Sequence, residues 1–259
     1  MTTKIVIVAG GTTGMGRATA LARAARGDQV TVIGRARRGL PDSVTFLSAD
    51  LSSVAEVDRV AAEIANRHVR VDALTLFANR PMPQRTETAD GFEYTFALYY
   101  LSRYLLGTRL APLMDTTSVI VNVAGVGTTA GEIHWPDPQL RDRYSMVRAQ
   151  LQAGRANDLL GVSHNGKARY VLYHPGFTRS GLDLYPNPVI RGMVKTLGRL
   201  FARPVEKSVA PILGWIDHPP SEALTAVDRG KPVKQSLKTL DPGAASRLAT
   251  YTERLLTGC

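Results

Sequence analysis

The chain has one cysteine, Cys259, which is too few for any internal disulfide framework. A reducing cytoplasm is the expected setting. Long apolar runs are also missing. None approaches the ~18 residues that suggest a membrane helix, and IVIVAGG, Ile5 to Gly11, is too short for a signal-peptide core. The net charge is +10, but the basic residues form no run of five and no pattern interleaved with aromatics. Nucleic acid is therefore not an expected partner, and no membrane span or metal site is expected either. There is no linker, low-complexity segment or long-period repeat. The 259 residues read as a single domain.

What is present is alternation. Short, nearly continuous apolar stretches at Ile5–Ala9, Val30–Ile33, Thr45–Leu47, Ala73–Phe77, Val119–Val123 and Tyr170–Tyr173 read as strands covered on both faces. Between them Gly14–Arg26, Val54–Arg67, Phe92–Leu110 and Arg143–Leu160 have helical period. The βαβ order predicts an α/β fold: a Rossmann-type, doubly wound, mostly parallel sheet with helices on both faces. Beyond His174 a Pro- and Gly-rich loop leads to helices near Val189–Phe201 and Val205–Ile216. A short strand at Ala223–Val227 and a closing helix at Ala244–Leu256 follow. The span 177–217 is the expected substrate side.

The first strand runs into AGGTTGMG, with Gly10, Gly14 and Gly16 opening a helix. Such a turn lets backbone approach a pyrophosphate, which the helix-start amides then hold. Thr12 and Thr13 add hydroxyl donors. At the end of the second strand an acid would bind the ribose 2′-hydroxyl of NAD; here Arg35, Arg37 and Arg38 stand instead. Arginine binds a 2′-phosphate bidentately, so the expected cofactor is NADP(H). Asp50, after the third strand, is placed to reach the adenine edge, to cap the next helix, or to do neither.

RYSMVR, Arg143 to Arg148, holds Tyr144 and Arg148 four residues apart. On one helix face the cation would favour the phenolate left when the tyrosine gives up a proton.

With these features the chain resembles the short-chain dehydrogenase/reductase family over essentially its whole length. AGGTTGMG, the ADL of Ala49–Leu51 and the HPGFTRS of His174–Ser180 carry the likeness. TADGFE at Thr88–Glu93, GEIHWPD at Gly131–Asp137 and the C-terminal LDPGAASRLATYTERLL resemble its retinol dehydrogenase and protochlorophyllide reductase side. The resemblance implies hydride transfer with a small molecule; family members often pair into homo-oligomers, and small residues at Ala149, Ala153 and Ala156 permit such pairing without requiring it. It implies cofactor contacts at Gly10, Thr12, Thr13, Gly14, Met15, Gly16, Asp50, Leu51, Ala78, Asn79, Pro175, Gly176, Phe177 and Thr178.

The family's four catalytic residues map unevenly. Its tyrosine falls on Tyr144, its lysine on Arg148, its serine on Gly125 and its asparagine on Tyr99. Arginine keeps the charge but shuttles no proton, because its pKa stays above ~12. Loss of the serine donor costs ~10²–10³ in rate, unless Thr128, Thr129 or His134 replaces it. Tyr99 and Tyr100 are expected to pack in the core. Two functions remain: an NADPH-dependent reductase of a carbonyl, enone or imine, or an NADP-binding protein without redox turnover.

Overall fold

The computed structural model describes residues 3–176 and 204–258. Eight strands form one sheet in the order β3-β2-β1-β4-β5-β6-β7-β8. They are β1 Ile5–Ala9, β2 Gln29–Gly34, β3 Val44–Ser48, β4 Ala73–Leu76, β5 Val119–Val123, β6 Arg169–His174, β7 Leu224–Asp228 and β8 Lys231–Pro232. Every pairing is parallel except β7 with β8. That last hairpin turns on Arg229 and Gly230, both at positive φ (51 and 85). Two consecutive positive-φ residues match the tight turns that join antiparallel strands.

The helices are α1 Gly14–Ala24, α2 Val54–Arg67, α3 (94–110), α4 Met146–Val162, α5 Val205–Asp217 and α6 Pro242–Thr257. Strand side chains alternate between the two faces. Ile7, Leu74, Ile120 and Leu172 point to one core, closed by α2, α3, α4 and α6. Val6, Val8, Val32, Val121 and Val171 point to the other, where Ala20 of α1 and Val209, Ile212 and Ile216 of α5 pack. Strands buried on both faces are apolar at nearly every position, which is why they were legible as runs.

Three details depart from expectation. β8 is only two residues long, too short for a pattern. The helix expected from Arg143 begins at Met146, because Ser145 caps it: its hydroxyl accepts from the Arg148 amide at 3.2 Å. Inside α3, residues Ala97–Leu101 form a π-helical turn. The helix expected near Val189–Phe201 lies outside the described residues.

Strand order reverses between β1 and β4. In open parallel sheets that reversal opens a crevice at the carboxyl ends of the strands, where ligands bind.

Candidate active site

At the end of β1 the chain must reverse into α1 within four residues. Gly10 does this at φ +81, and a Cβ there would stand 2.6 Å from the Ala78 amide nitrogen. A Cβ on Gly16 would stand 2.4 Å from the Gly10 carbonyl oxygen, and Gly14 has φ +54. No larger residue fits the first two positions without backbone movement. Thr13 caps α1 but makes no side-chain cap bond, so the first-turn amides remain free for an anion. Thr12 lies under Gly34 and ties the loop to the end of β2, while Met15 packs into the adjoining core. This cradle fits a dinucleotide pyrophosphate.

The three arginines beyond β2 are not equivalent. Arg37 is spent on its own loop, donating to the Leu40 and Pro41 carbonyls at 3.3 and 3.0 Å and to the Asp42 carboxylate at 3.0 Å. Arg35 and Arg38 are exposed and make no hydrogen bond or ion pair among the described residues. Asp50 does not cap α2; Ser53 does. One Asp50 oxygen accepts from the Ser52 amide and hydroxyl, and Leu51 is buried beneath. Ala78 is half-buried against Gly10, whereas Asn79 exchanges two amide bonds with Gln150 of α4, at 2.9 and 3.1 Å. Pro175 and Gly176 end the described part of the β6 loop; Phe177 and Thr178 lie outside the described residues.

Tyr144 and Arg148 are not one turn apart on a helix. Tyr144 precedes the cap, and its hydroxyl donates to the Met82 carbonyl at 2.8 Å. Burial and the nearby Glu93 carboxylate push its phenol up. Arg148 reaches back to the Arg143 carbonyl at 3.4 Å. With Ser145, Val147 and Leu151 it lines an open cavity of about 430 Å³ against Thr129, Gly131, Glu132 and His134.

The face of α4 that meets the strand ends is a different one. Gln150 bonds Asn79, Ala153 packs against Tyr99 and Ala124, and Asn157 bonds Asn122 of β5. A tyrosine–lysine pair on that face would occupy 150 and 154, where the chain has Gln150 and Gly154. Among the described residues a Cβ on Gly154 or on Gly125 meets nothing within 4 Å.

The ionisable groups at these strand ends come from α3. Arg103 is fully buried and donates to the Asn122 side chain, to the Val123 carbonyl at 2.9 Å and to the Ala78 carbonyl at 3.0 Å. Its guanidinium lies 4.6 Å from the centre of the Tyr99 ring. Burial pulls Arg103 down to about 10, so it is still a cation at neutral pH. The Tyr99 carbonyl accepts from the Asn157 side chain at 2.8 Å. Tyr100 follows the core-packing expectation: it stacks on Phe96 and bonds the Thr252 hydroxyl at 2.7 Å.

The loop after β5 is stapled from α4. Arg155 donates to the Thr128, Ala130 and Gly131 carbonyls and pairs with Asp158 at 2.6 Å. At the far side His174 Nδ1 faces the Asp228 carboxylate at 2.8 Å, the structural use expected of an HPG turn. Among the described residues no acidic, histidine or cysteine cluster could hold a metal, and no helix is long and apolar enough to cross a membrane.

The sheet order and glycine cradle have counterparts among known proteins. The chain is 30% identical over 270 residues to "Putative daunorubicin C-13 ketoreductase DnrU" of Streptomyces sp. (strain C5), covering 95% of this chain and 90% of that protein. It is 32% identical over 227 residues to human retinol dehydrogenase 13, covering 76% of this chain and 66% of that one. The NADP complex of Pseudomonas aeruginosa RhlG superposes with a TM-score of 0.64 at 19% identity, over 88% of this chain and 95% of that one. The profile of the short chain dehydrogenase family matches residues 4–137, and the chain belongs to that family.

Proposed function

We propose that this chain is an NADPH-dependent reductase acting on a carbonyl, enone or imine of a small molecule, on the retinol dehydrogenase and protochlorophyllide reductase side of the family. The observation that carries it is the pair of unpartnered arginines, Arg35 and Arg38, beside an intact glycine cradle. Gly10, Gly14, Gly16 and the α1 amides would hold the pyrophosphate, and Arg35 and Arg38 the 2′-phosphate. When bound, the cofactor supplies a hydride. The names of the two relatives, a ketoreductase and a dehydrogenase, support carbonyl–alcohol chemistry.

The four-residue spacing in the sequence offers Tyr144 as proton donor with Arg148 as its cation, although both stand off the α4 face that meets the strand ends. In that role Tyr144 must release the Met82 carbonyl when substrate enters. With glycine at 125, a substrate already polarised needs the least help. A second reading is an NADP-binding protein without redox turnover. It is favoured by one observation: the α4 face at the strand ends carries Gln150, Ala153, Gly154 and Asn157, none of which titrates.

Calorimetry with NADPH and NADH, followed by NADPH oxidation against a panel of ketones, enones and imines, tests both. Tighter binding of NADPH with turnover of at least one class is expected. Preference for NADH removes the arginine argument; NADPH binding with no turnover anywhere selects the second reading.

A further inference from the structure

We infer that Tyr99, with Arg103 stacked on its ring, is the proton-donating pair of this site, supplied from α3 in place of a pair on α4. This rests on the redox reading above.

The first argument is position. Tyr99 packs against Ala124 and Ala153, so its ring stands at the end of β5, one residue before Gly125. Arg103 bonds the Ala78 carbonyl, and Ala78 is the residue that Gly10 touches. The pair thus spans the ends of β4 and β5, on the β4 side of the crevice that the strand order opens between β1 and β4. Positions 125 and 154, from which hydroxyl and ammonium would otherwise project, are glycines whose Cβ would meet nothing within 4 Å among the described residues.

The second argument is an imbalance of charge. Arg103 is buried with no carboxylate against it among the described residues; its partners are two carbonyls and an amide oxygen, and its Nε has none. A buried cation without an anion is costly. A phenolate forming at Tyr99 would supply that anion at the moment a proton leaves. The π-turn and the Asn157 bond to the Tyr99 carbonyl hold the residue in place.

The third argument is availability. Among the described residues the Tyr99 hydroxyl makes no hydrogen bond, and it is not among the sealed, unpartnered polar atoms. The Tyr144 hydroxyl is committed to Met82 and Tyr100 to Thr252. Burial raises the Tyr99 phenol; Arg103 opposes this and the Asp158 carboxylate of α4 adds to it, so the phenol stays protonated through neutral pH.

The step balances simply. The substrate carbon receives a hydride from the reduced nicotinamide, which is oxidised. The C=O π pair takes the proton from Tyr99 Oη and becomes an alcohol. The phenolate, held by Arg103, regains its proton from water.

The test uses isatin, a polarised ketone, as probe. Tyr99→Phe keeps the ring and removes only an unbonded hydroxyl, so the fold is retained. In the dead-end complex with NADP+, calorimetry should show isatin binding weakened about tenfold, the worth of one lost hydrogen bond. With NADPH, kcat should fall about 100-fold or more, while NADPH affinity is unchanged. The alkaline decline of wild-type kcat should vanish in the variant. Tyr104→Phe, on the outer side of α3, serves as control.

If Tyr99→Phe binds isatin as wild type does, or wild type does not bind it, the assignment is overturned. Loss of turnover confined to Tyr144→Phe also overturns it while leaving the redox reading intact. Weakened isatin binding in Tyr99→Phe, with no NADPH oxidation by wild type, instead defeats the redox reading and keeps Tyr99 as the donor facing the ligand.

Discussion

Asn157 of α4 donates to the Tyr99 carbonyl of α3 across 2.8 Å, and the same side chain accepts from Asn122 of β5 at 3.0 Å. Asn122 also donates to the Tyr170 hydroxyl at 2.8 Å and accepts from Arg103. One buried polar network therefore joins two helices and two strands beneath the crevice. Such networks fix the elements that they join, and of this one only the Arg103 Nε lacks a partner among the described residues.

Replacing Asn157 by alanine removes the side-chain partner of the Tyr99 carbonyl and one of the two partners of the Asn122 amide. The expected cost is about 3 kcal/mol, or a Tm lower by about 6–12 °C for a chain of this size. Thermal unfolding followed by circular dichroism measures it. A drop under 2 °C would mean that the network relaxes to other partners and does not fix α3 against α4.

The unequal arginines give a graded expectation. Arg35→Ala and Arg38→Ala should each weaken NADPH about tenfold, the value of one charged hydrogen bond. NADH affinity should hardly move. Arg37→Ala should cost less, because its guanidinium already serves Leu40, Pro41 and Asp42. Equal losses for NADPH and NADH would show a general electrostatic effect instead of 2′-phosphate recognition.

Two glycines of the site should respond in opposite ways. Gly10→Ala places a methyl 2.6 Å from the Ala78 amide nitrogen at a positive φ, so it should destabilise the fold and abolish cofactor binding. Gly125→Ser enters open space and should fold normally. Its hydroxyl restores a donor near the strand end, and reduction of an unactivated ketone should rise by about tenfold or more. Steady-state rates on the two variants decide it; no gain in Gly125→Ser would place the reacting oxygen elsewhere.

Most of the fold was legible because its signals are local. The strands showed as apolar runs, and β5 and α2 were bounded to the residue. The glycine loop was legible for the same reason: backbone approach demands glycine at fixed offsets. The catalytic side was harder. Tyr144 and Arg148 satisfy a spacing, but Ser145 is a better helix cap than a helix interior, and capping moved Tyr144 off the helix. Tyr99 and Arg103 have the same four-residue spacing, yet in FALYYLSRYLL Tyr99 reads as core beside Tyr100. Only packing distinguishes Tyr99, set against Ala124 and Ala153, from Tyr100, which bonds Thr252 of α6. Nothing local in the sequence separates neighbouring tyrosines on a π-turn.

The buried pair on α4 yields a pH dependence. Burial raises the Asp158 carboxyl from 3.8 to about 7, and Arg155 only partly opposes this; one of its oxygens has no partner. The folded state therefore binds a proton more tightly than the unfolded chain between those values. This contribution to stability is full below about 4 and is lost as pH rises through about 7. Asp158→Asn removes the titration while leaving Arg155 its three loop carbonyls. Relative to wild type, the variant should gain Tm from pH 5 to about pH 7 and level off towards pH 8. Because other carboxylates titrate alike in both proteins, the difference isolates this one group. A Tm difference that stays constant over that range would show that Asp158 is ionised throughout, as a fully compensated partner of Arg155.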